Sequence, residues 1–245
     1  TNLVEGGFKG RLLPVNPKYK TIRNLSAAAS VTDLGVSVDL AVIAVPIGHV
    51  ASVVRQCAEA EVKAAIIISA GGKETGAAGQ EFEREILEAA DTGRIRIIGP
   101  NCLGVMVPAA KLNASFGSGM PNRGNLAFVS QSGGVCTSIL DVSFKEGIGF
   151  SHFVSIGSML DVDFGDLIDF LGRDPGTRCI LLYIEQLTNI RKFISAARAV
   201  SRVKPIIALK AGSSPAGARA AASHTGAMAG EDAVYDAAFK RAGVI

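Results

Sequence analysis

Short runs that are apolar at nearly every position alternate along this chain with stretches of helical periodicity, and that alternation narrows the choice of fold more than any other feature. Such runs occupy residues 40–45, 64–68 and 95–98 in the first half and 126–129, 150–156, 179–184 and 205–209 in the second, with 11–15 reading as an earlier strand. A strand with one wet face alternates apolar and polar residues, whereas a strand covered on both faces does not, so the runs predict parallel sheets with crossover helices. Between them, Val50, Val53, Val54, Cys57 and Ala58 share one helical face, as do Phe82, Ile86 and Ala89 or Ala90, and later Ile190, Phe193, Ile194 and Ala197. Residues 134–145 and 231–242 read as further helices. The fold class is α/β. At 245 residues there is length for two domains of ordinary size, and the turn-rich composition of 113–124 reads as a linker. This divides the chain into 1–118 and 119–245.

Charge and cysteine usage exclude several classes. A formal charge of +3 with no block of like charges argues against nucleic acid as a partner. Cys57, Cys102, Cys136 and Cys179 are isolated from one another, which fits neither a zinc site nor a disulfide framework and suggests a reducing, cytoplasmic setting. No metal site is expected. No apolar run approaches the roughly twenty residues that span a bilayer, so no membrane association is expected. Leu3, Val4 and Glu5 read as the end of a helix stopping at Gly6 and Gly7, as if the first strand and Gly-rich turn of a doubly wound domain were missing, and residues 242–245 read as the approach to another strand.

The candidate chemistry sits where strands end. Ser130, Gln131, Ser132, Gly133 and Gly134 follow one strand and open a helix, a geometry that presents backbone N–H groups to an anion such as phosphate. The plainer reading is a tight turn whose serine caps the helix. Glu185 ends the 179–184 strand, where its carboxylate could hold the Nδ1 proton of an imidazole and leave Nε2 free to attack, or could simply be solvated. His224 lies among Ala, Ser, Thr and Gly in residues 221–230, while His49 and His152 have apolar neighbours that suit structural roles. A surface histidine bonded to backbone is the alternative for His224. In the first half, Val15, Asn16, Pro17 and Lys18, then Val45 and Pro46, then Ala70, Gly71 and Gly72, and finally Asn101, Cys102 and Leu103 within 99–104 all fall at strand ends that could share one nucleotide-binding edge. Pro and Gly that merely terminate strands would look the same, and Cys102 reads more simply as a packed thiol.

Taken together and in order, residues 99–104, Ser130 to Gly134, Tyr183 to Glu185 and 223–230 resemble the α part of ADP-forming acyl-CoA synthetases, the acetate–CoA ligase relatives of succinyl-CoA synthetase. The resemblance covers essentially the whole chain. It implies a Rossmann-like CoA-binding domain, here truncated at its start, followed by a flavodoxin-like ligase domain. It further implies interconversion of acyl-CoA, ADP and phosphate with acid, CoA and ATP through an acyl phosphate and a phosphohistidine. His224 matches the phosphorylated histidine, Glu185 the glutamate that orients it, and Ser130 to Gly134 the helix terminus that holds its phosphate. Val15 to Lys18, Val45 and Pro46, Ala70 to Gly72 and Asn101 to Leu103 match the segments around coenzyme A. The same resemblance implies an ATP-grasp domain or subunit that binds most of the ADP or ATP with Mg, an oligomeric assembly, and no turnover by this chain alone. A non-catalytic acyl-CoA-sensing module fused to a lysine acetyltransferase is the alternative, against which the presence of both His224 and Glu185 speaks. A Rossmann dehydrogenase is a poorer fit, because no Gly-x-Gly-x-x-Gly follows an opening strand.

Overall fold

The computed structural model describes residues 1–212 and 232–245. In chain order the helices are α1 (Asn2–Glu5), α2 (Ile47–Glu59), α3 (Ala77–Gly93), α4 (Gly133–Glu146), α5 (Phe164–Arg173), α6 (Ile190–Val200) and α7 (Asp232–Ala242). The strands are β1 (Thr21–Ile22), β2 (Leu25–Ser26), β3 (Leu40–Ile43), β4 (Ala64–Ile67), β5 (Arg96–Ile98), β6 (Gly104–Val107), β7 (Leu112–Ser115), β8 (Asn122–Ser130), β9 (Gly149–Ser155), β10 (Cys179–Ile184) and β11 (Ile206–Lys210).

Strands β3, β4 and β5 form a three-stranded parallel sheet. One face packs Ile43, Ala65, Ile67 and Ile97 against Val50, Val54 and Cys57 of α2 and Ile86, Ala89 and Ala90 of α3. The opposite face sends Ile66 into the core of the larger sheet, with Leu40, Ile68 and Ile98 packed against it. Apart from Arg96 at the start of β5, these strands are apolar because helices pack on one face and the second half of the chain packs on the other. Apolar burial therefore joins the halves, and hydrogen bonds and ion pairs between them add to it. Asp161 accepts the Ile97 N–H at 2.8 Å and the Arg96 Nε at 2.9 Å.

The larger sheet has the order β11-β10-β8-β9-β6-β7. Its first four strands are parallel, and β6 and β7 extend it antiparallel beyond β9. Ile180, Leu182 and Ile184 of β10 point to α5 and α6 through Ile168, Leu171, Phe193 and Ala197. Leu181 and Tyr183 point to the other face, where Cys136 and Leu140 of α4 meet Phe128, Phe150 and Phe153.

Three expectations need correction. Residues 11–15 form no strand; Pro14 lacks an N–H, and only Val15 makes a one-residue parallel bridge to Ala28. The 113–124 stretch is not a linker throughout, since it contains most of β7 and the start of β8. There Asn113 is buried, with its Oδ1 accepting Ser115 Oγ at 2.6 Å and its Nδ2 donating to the Gly119 carbonyl at 3.0 Å, which is how polar residues occupy a strand that composition disguises. Strands β6 and β7, on the early side of residue 119, therefore belong to the sheet of the second half. Finally, His49 is exposed in the first turn of α2 rather than packed. Among the described residues no helix is long and apolar enough to cross a membrane.

Candidate functional site

Strand β8 is buried through its last residue, Ser130, and the chain turns sharply into α4. Ser130 Oγ donates to the Ser132 carbonyl and accepts the Ser132 N–H, both at 3.0 Å, which closes the turn on itself. Ser132 caps α4 by accepting the Val135 N–H at 3.3 Å. Among the described residues, the cap leaves the N–H groups of Gly133 and Gly134 without a partner, and a Cβ at Gly133 would meet nothing within 4 Å. An open, positively polarised helix terminus results.

Glu185 arrives beside it because β10 pairs with β8 in a register that sets Tyr183 opposite Ser130. Gln131 fastens the two ends together. Its side-chain carbonyl accepts the N–H of Glu185 at 2.7 Å and of Gln186 at 2.9 Å, while its own N–H donates to the Tyr183 carbonyl at 3.3 Å. Glu185 is half-buried. Burial first, and then the nearby Glu185 charge, raise the Tyr183 hydroxyl above its ordinary value. On the other side of β10, β11 pairs Lys210 opposite Ile184, and the Ala211 N–H reaches the Ile184 carbonyl at 2.8 Å, so the chain comes to Gly212 at this same edge. His224 lies outside the described residues.

The first-half edge is built differently. Val15, Pro17 and Lys18 are exposed around Asn16, whose Oδ1 accepts the Lys18 N–H at 2.9 Å and the Tyr19 N–H at 3.2 Å in a local turn. The Val45 carbonyl accepts Ser69 Oγ at 2.5 Å, and Pro46 stands just before α2. Ala70 is exposed; Gly71 adopts φ +108°, which suits glycine. The N–H groups of Gly71 and Gly72 both donate to Glu74 Oε1, at 2.8 and 3.2 Å. Of Asn101, Cys102 and Leu103, Asn101 alone is exposed. Leu103 is core, and the Cys102 thiol donates to the Ile67 carbonyl at 3.3 Å, with burial pushing its pKa up to about 12. Buried and bonded to a backbone carbonyl, Cys102 fits the packed reading.

Sequence reasoning passed over the loop after β9. Gly157 adopts φ +55° so close to the preceding half that a Cβ would lie 2.1 Å from the Pro100 carbonyl. Ser158 donates its N–H to that carbonyl at 2.9 Å and accepts Lys73 Nζ at 2.7 Å. A glycine directly after a largely apolar run was the available signal, as it is for Gly99 after Ile98. Among the described residues no group of three or more His, Cys, Asp or Glu side chains could hold a metal ion.

Residues 123–245 match the family described as the succinyl-CoA ligase like flavodoxin domain, and residues 1–108 match the CoA binding domain. The chain belongs to the ADP-forming acyl-CoA synthetase family. It is 45% identical, over 96% of its length, to the α subunit of ADP-forming acetate–CoA ligase II of Pyrococcus furiosus, of which it covers 51%. It is 45% identical over 97% of its length to the ADP-forming acetate–CoA ligase of Methanocaldococcus jannaschii, covering 33% of that protein. A solved structure of dinucleotide forming acetyl-coenzyme A synthetase 1 from Ca. Korarchaeum cryptofilum, in complex with phosphate and ADP, superposes with a TM-score of 0.94 at 42% identity, over all of this chain and 53% of that one. The α/β architecture expected from the sequence, a CoA-binding domain followed by a flavodoxin-like ligase domain, is the one observed. The chain thus spans about half, or less, of the length of these relatives.

Proposed function

We propose that this chain is the acyl-CoA and phosphohistidine part of an ADP-forming acid–CoA ligase. The observation that carries the reading is the shared edge of the larger sheet, where Gln131 ties Glu185 to the open first turn of α4 and β11 delivers the chain to Gly212 alongside. In the reaction, an oxygen of inorganic phosphate attacks the thioester carbonyl carbon, the C–S bond breaks, and CoA leaves with an acyl phosphate formed. Nε2 of His224 then attacks phosphorus, the P–O bond to the acyl group breaks, and the acid is released. Glu185 accepts the Nδ1 proton and stabilises the charge that develops on the ring. The N–H groups of Gly133 and Gly134, with the Ser130 to Ser132 turn behind them, receive the phosphoryl oxygens.

Coenzyme A lies along the first-half edge, against Val15 to Lys18, Val45 and Pro46, Ala70 to Gly72 and the exposed Asn101, with the backbone of Cys102 and Leu103 behind. The phosphoryl group passes to ADP on an ATP-grasp domain or subunit, which also supplies Mg, within an oligomeric assembly in the cytoplasm. The four cysteines are free thiols, in keeping with a reducing compartment. The relatives reported above carry ligase or synthetase names, and none lends support to a non-catalytic sensing module.

The test is to combine the full chain with its ATP-grasp partner and supply acyl-CoA with radiolabelled phosphate. An acid-labile phosphoprotein is expected, and His224→Ala should lower its formation by more than about a thousandfold. Equal labelling of wild type and His224→Ala would overturn the reading. Turnover by this chain without the partner would refute the division of labour.

A further inference from the structure

The sequence points to Gln131 as part of a phosphate cradle, yet its side-chain carbonyl is committed elsewhere. Strand β8 ends at Ser130 and the chain turns away, so the ladder offers β10 no backbone acceptor past that point. Half-buried Glu185 and exposed Gln186 would then have no ladder partner for their N–H groups just past a buried strand end, with Ile184 at 0% exposure. Gln131 Oε1 takes both, at 2.7 and 2.9 Å, in place of the missing strand. Gln131 itself cannot drift, because it sits between Ser130, also at 0% exposure, and Ser132, the cap of α4.

We infer that Gln131 is a positioning residue, which fixes Glu185 against the first turn of α4 and so sets the distance between the imidazole-orienting carboxylate and the anion-binding N–H groups. The inference rests on the proposed role of Glu185. It differs from phosphate binding in which atom matters: the clasp needs the acceptor Oε1, whereas a phosphate ligand would need the donor Nε2. Two substitutions separate these. Gln131→Met is similar in length but offers only a weakly accepting thioether, set back from the position of Oε1; Gln131→Glu keeps acceptor oxygens while adding a negative charge that repels phosphate.

The first readout is amide hydrogen exchange on the full chain, which needs no activity. Gln131→Met should speed exchange at Glu185 and Gln186 by about tenfold or more, and Gln131→Glu should leave them protected. Unchanged protection in Gln131→Met overturns the clasp. The second readout is single-turnover phosphoenzyme formation with the ATP-grasp partner present. Gln131→Met should lower the rate constant roughly 10- to 100-fold with the KM for phosphate little changed, and Gln131→Glu should retain more of the rate than Gln131→Met. A raised KM for phosphate, with Gln131→Glu the worse variant, would make Gln131 a phosphate ligand and overturn positioning. If the wild type forms no phosphoenzyme while the exchange pattern holds, the clasp stands and the functional reading fails. If Gln131→Met does not fold, loss of protection in Gln131→Glu overturns the clasp and retained protection supports it.

Discussion

Two Gly-Gly pairs follow strands in this chain, and they do opposite things with their N–H groups. At Gly71 and Gly72 the donors are already filled by Glu74, and the next N–H, of Lys73, is taken by Glu83 Oε1 at 3.1 Å. Glu83 is buried, and helix α3 presses so closely on this turn that a Cβ on Gly79 would sit 1.7 Å from the Gly72 carbonyl. Among the described residues, no carboxylate bonds to Gly133 or Gly134, neither N–H is taken, and nothing lies within 4 Å of a Cβ built on Gly133. One turn has its donors filled by its own carboxylates and serves as a joint; the other is the turn proposed above to receive phosphoryl oxygens. The dipeptide is the same, and its use depends on which acidic side chains fold back onto it.

The contrast can be tested, starting where the effect is greatest. Gly79→Ala should destabilise the first half by about 3 kcal/mol or more, because the clash is with backbone rather than with a side chain that can swing away. Chemical denaturation measures it, and a loss under 1 kcal/mol would mean the joint is loose. Glu74→Ala should be milder. It removes the one exposed carboxylate that bridges the N–H groups of half-buried Gly71 and buried Gly72, for a loss of about 1–2 kcal/mol in the same assay. Gly133→Ala should have the smallest effect on stability, within about 0.5 kcal/mol and tending to stabilise, since the backbone there is helical and unobstructed. Its consequence should appear in function, as a fall on the order of tenfold in phosphoenzyme formation, because the new methyl group occupies the space where the phosphoryl oxygens would approach. A variant that is as active as wild type would show that the receptor lies elsewhere.

Much of the frame was legible before any coordinates. The 179–184 run is β10 residue for residue, and Cys57, Ile86, Phe193 and Ala197 face inward as their spacing predicts. What escaped was local structure stabilised by unusual residues. The β1–β2 hairpin turns through Arg23 and Asn24 at φ +50° and +62°, with no glycine to announce it. Strand β7 contains a buried asparagine whose partners are Ser115 and the Gly119 carbonyl, contacts invisible without the fold. At the candidate site, Ser130 to Gly134 and Glu185 were singled out as strand-end residues, and the pairing of β8 with β10 sets those ends side by side. That Gln131 joins them was not readable, since a glutamine beside a serine carries no mark of where its carbonyl points.

The sequence by itself determined the α/β class, most of the parallel strands with several of the helices between them, and which strand ends could carry chemistry, because periodicity and burial on two faces leave a one-dimensional trace. Only the tertiary structure decided that β6 and β7 join the second sheet, that Gly71 and Gly72 are filled while Gly133 and Gly134 stand open, and that Gln131 clasps Glu185. Those outcomes depend on side chains distant in sequence competing for the same few backbone donors. That competition is settled by geometry within a couple of ångströms, on which composition and spacing have no hold.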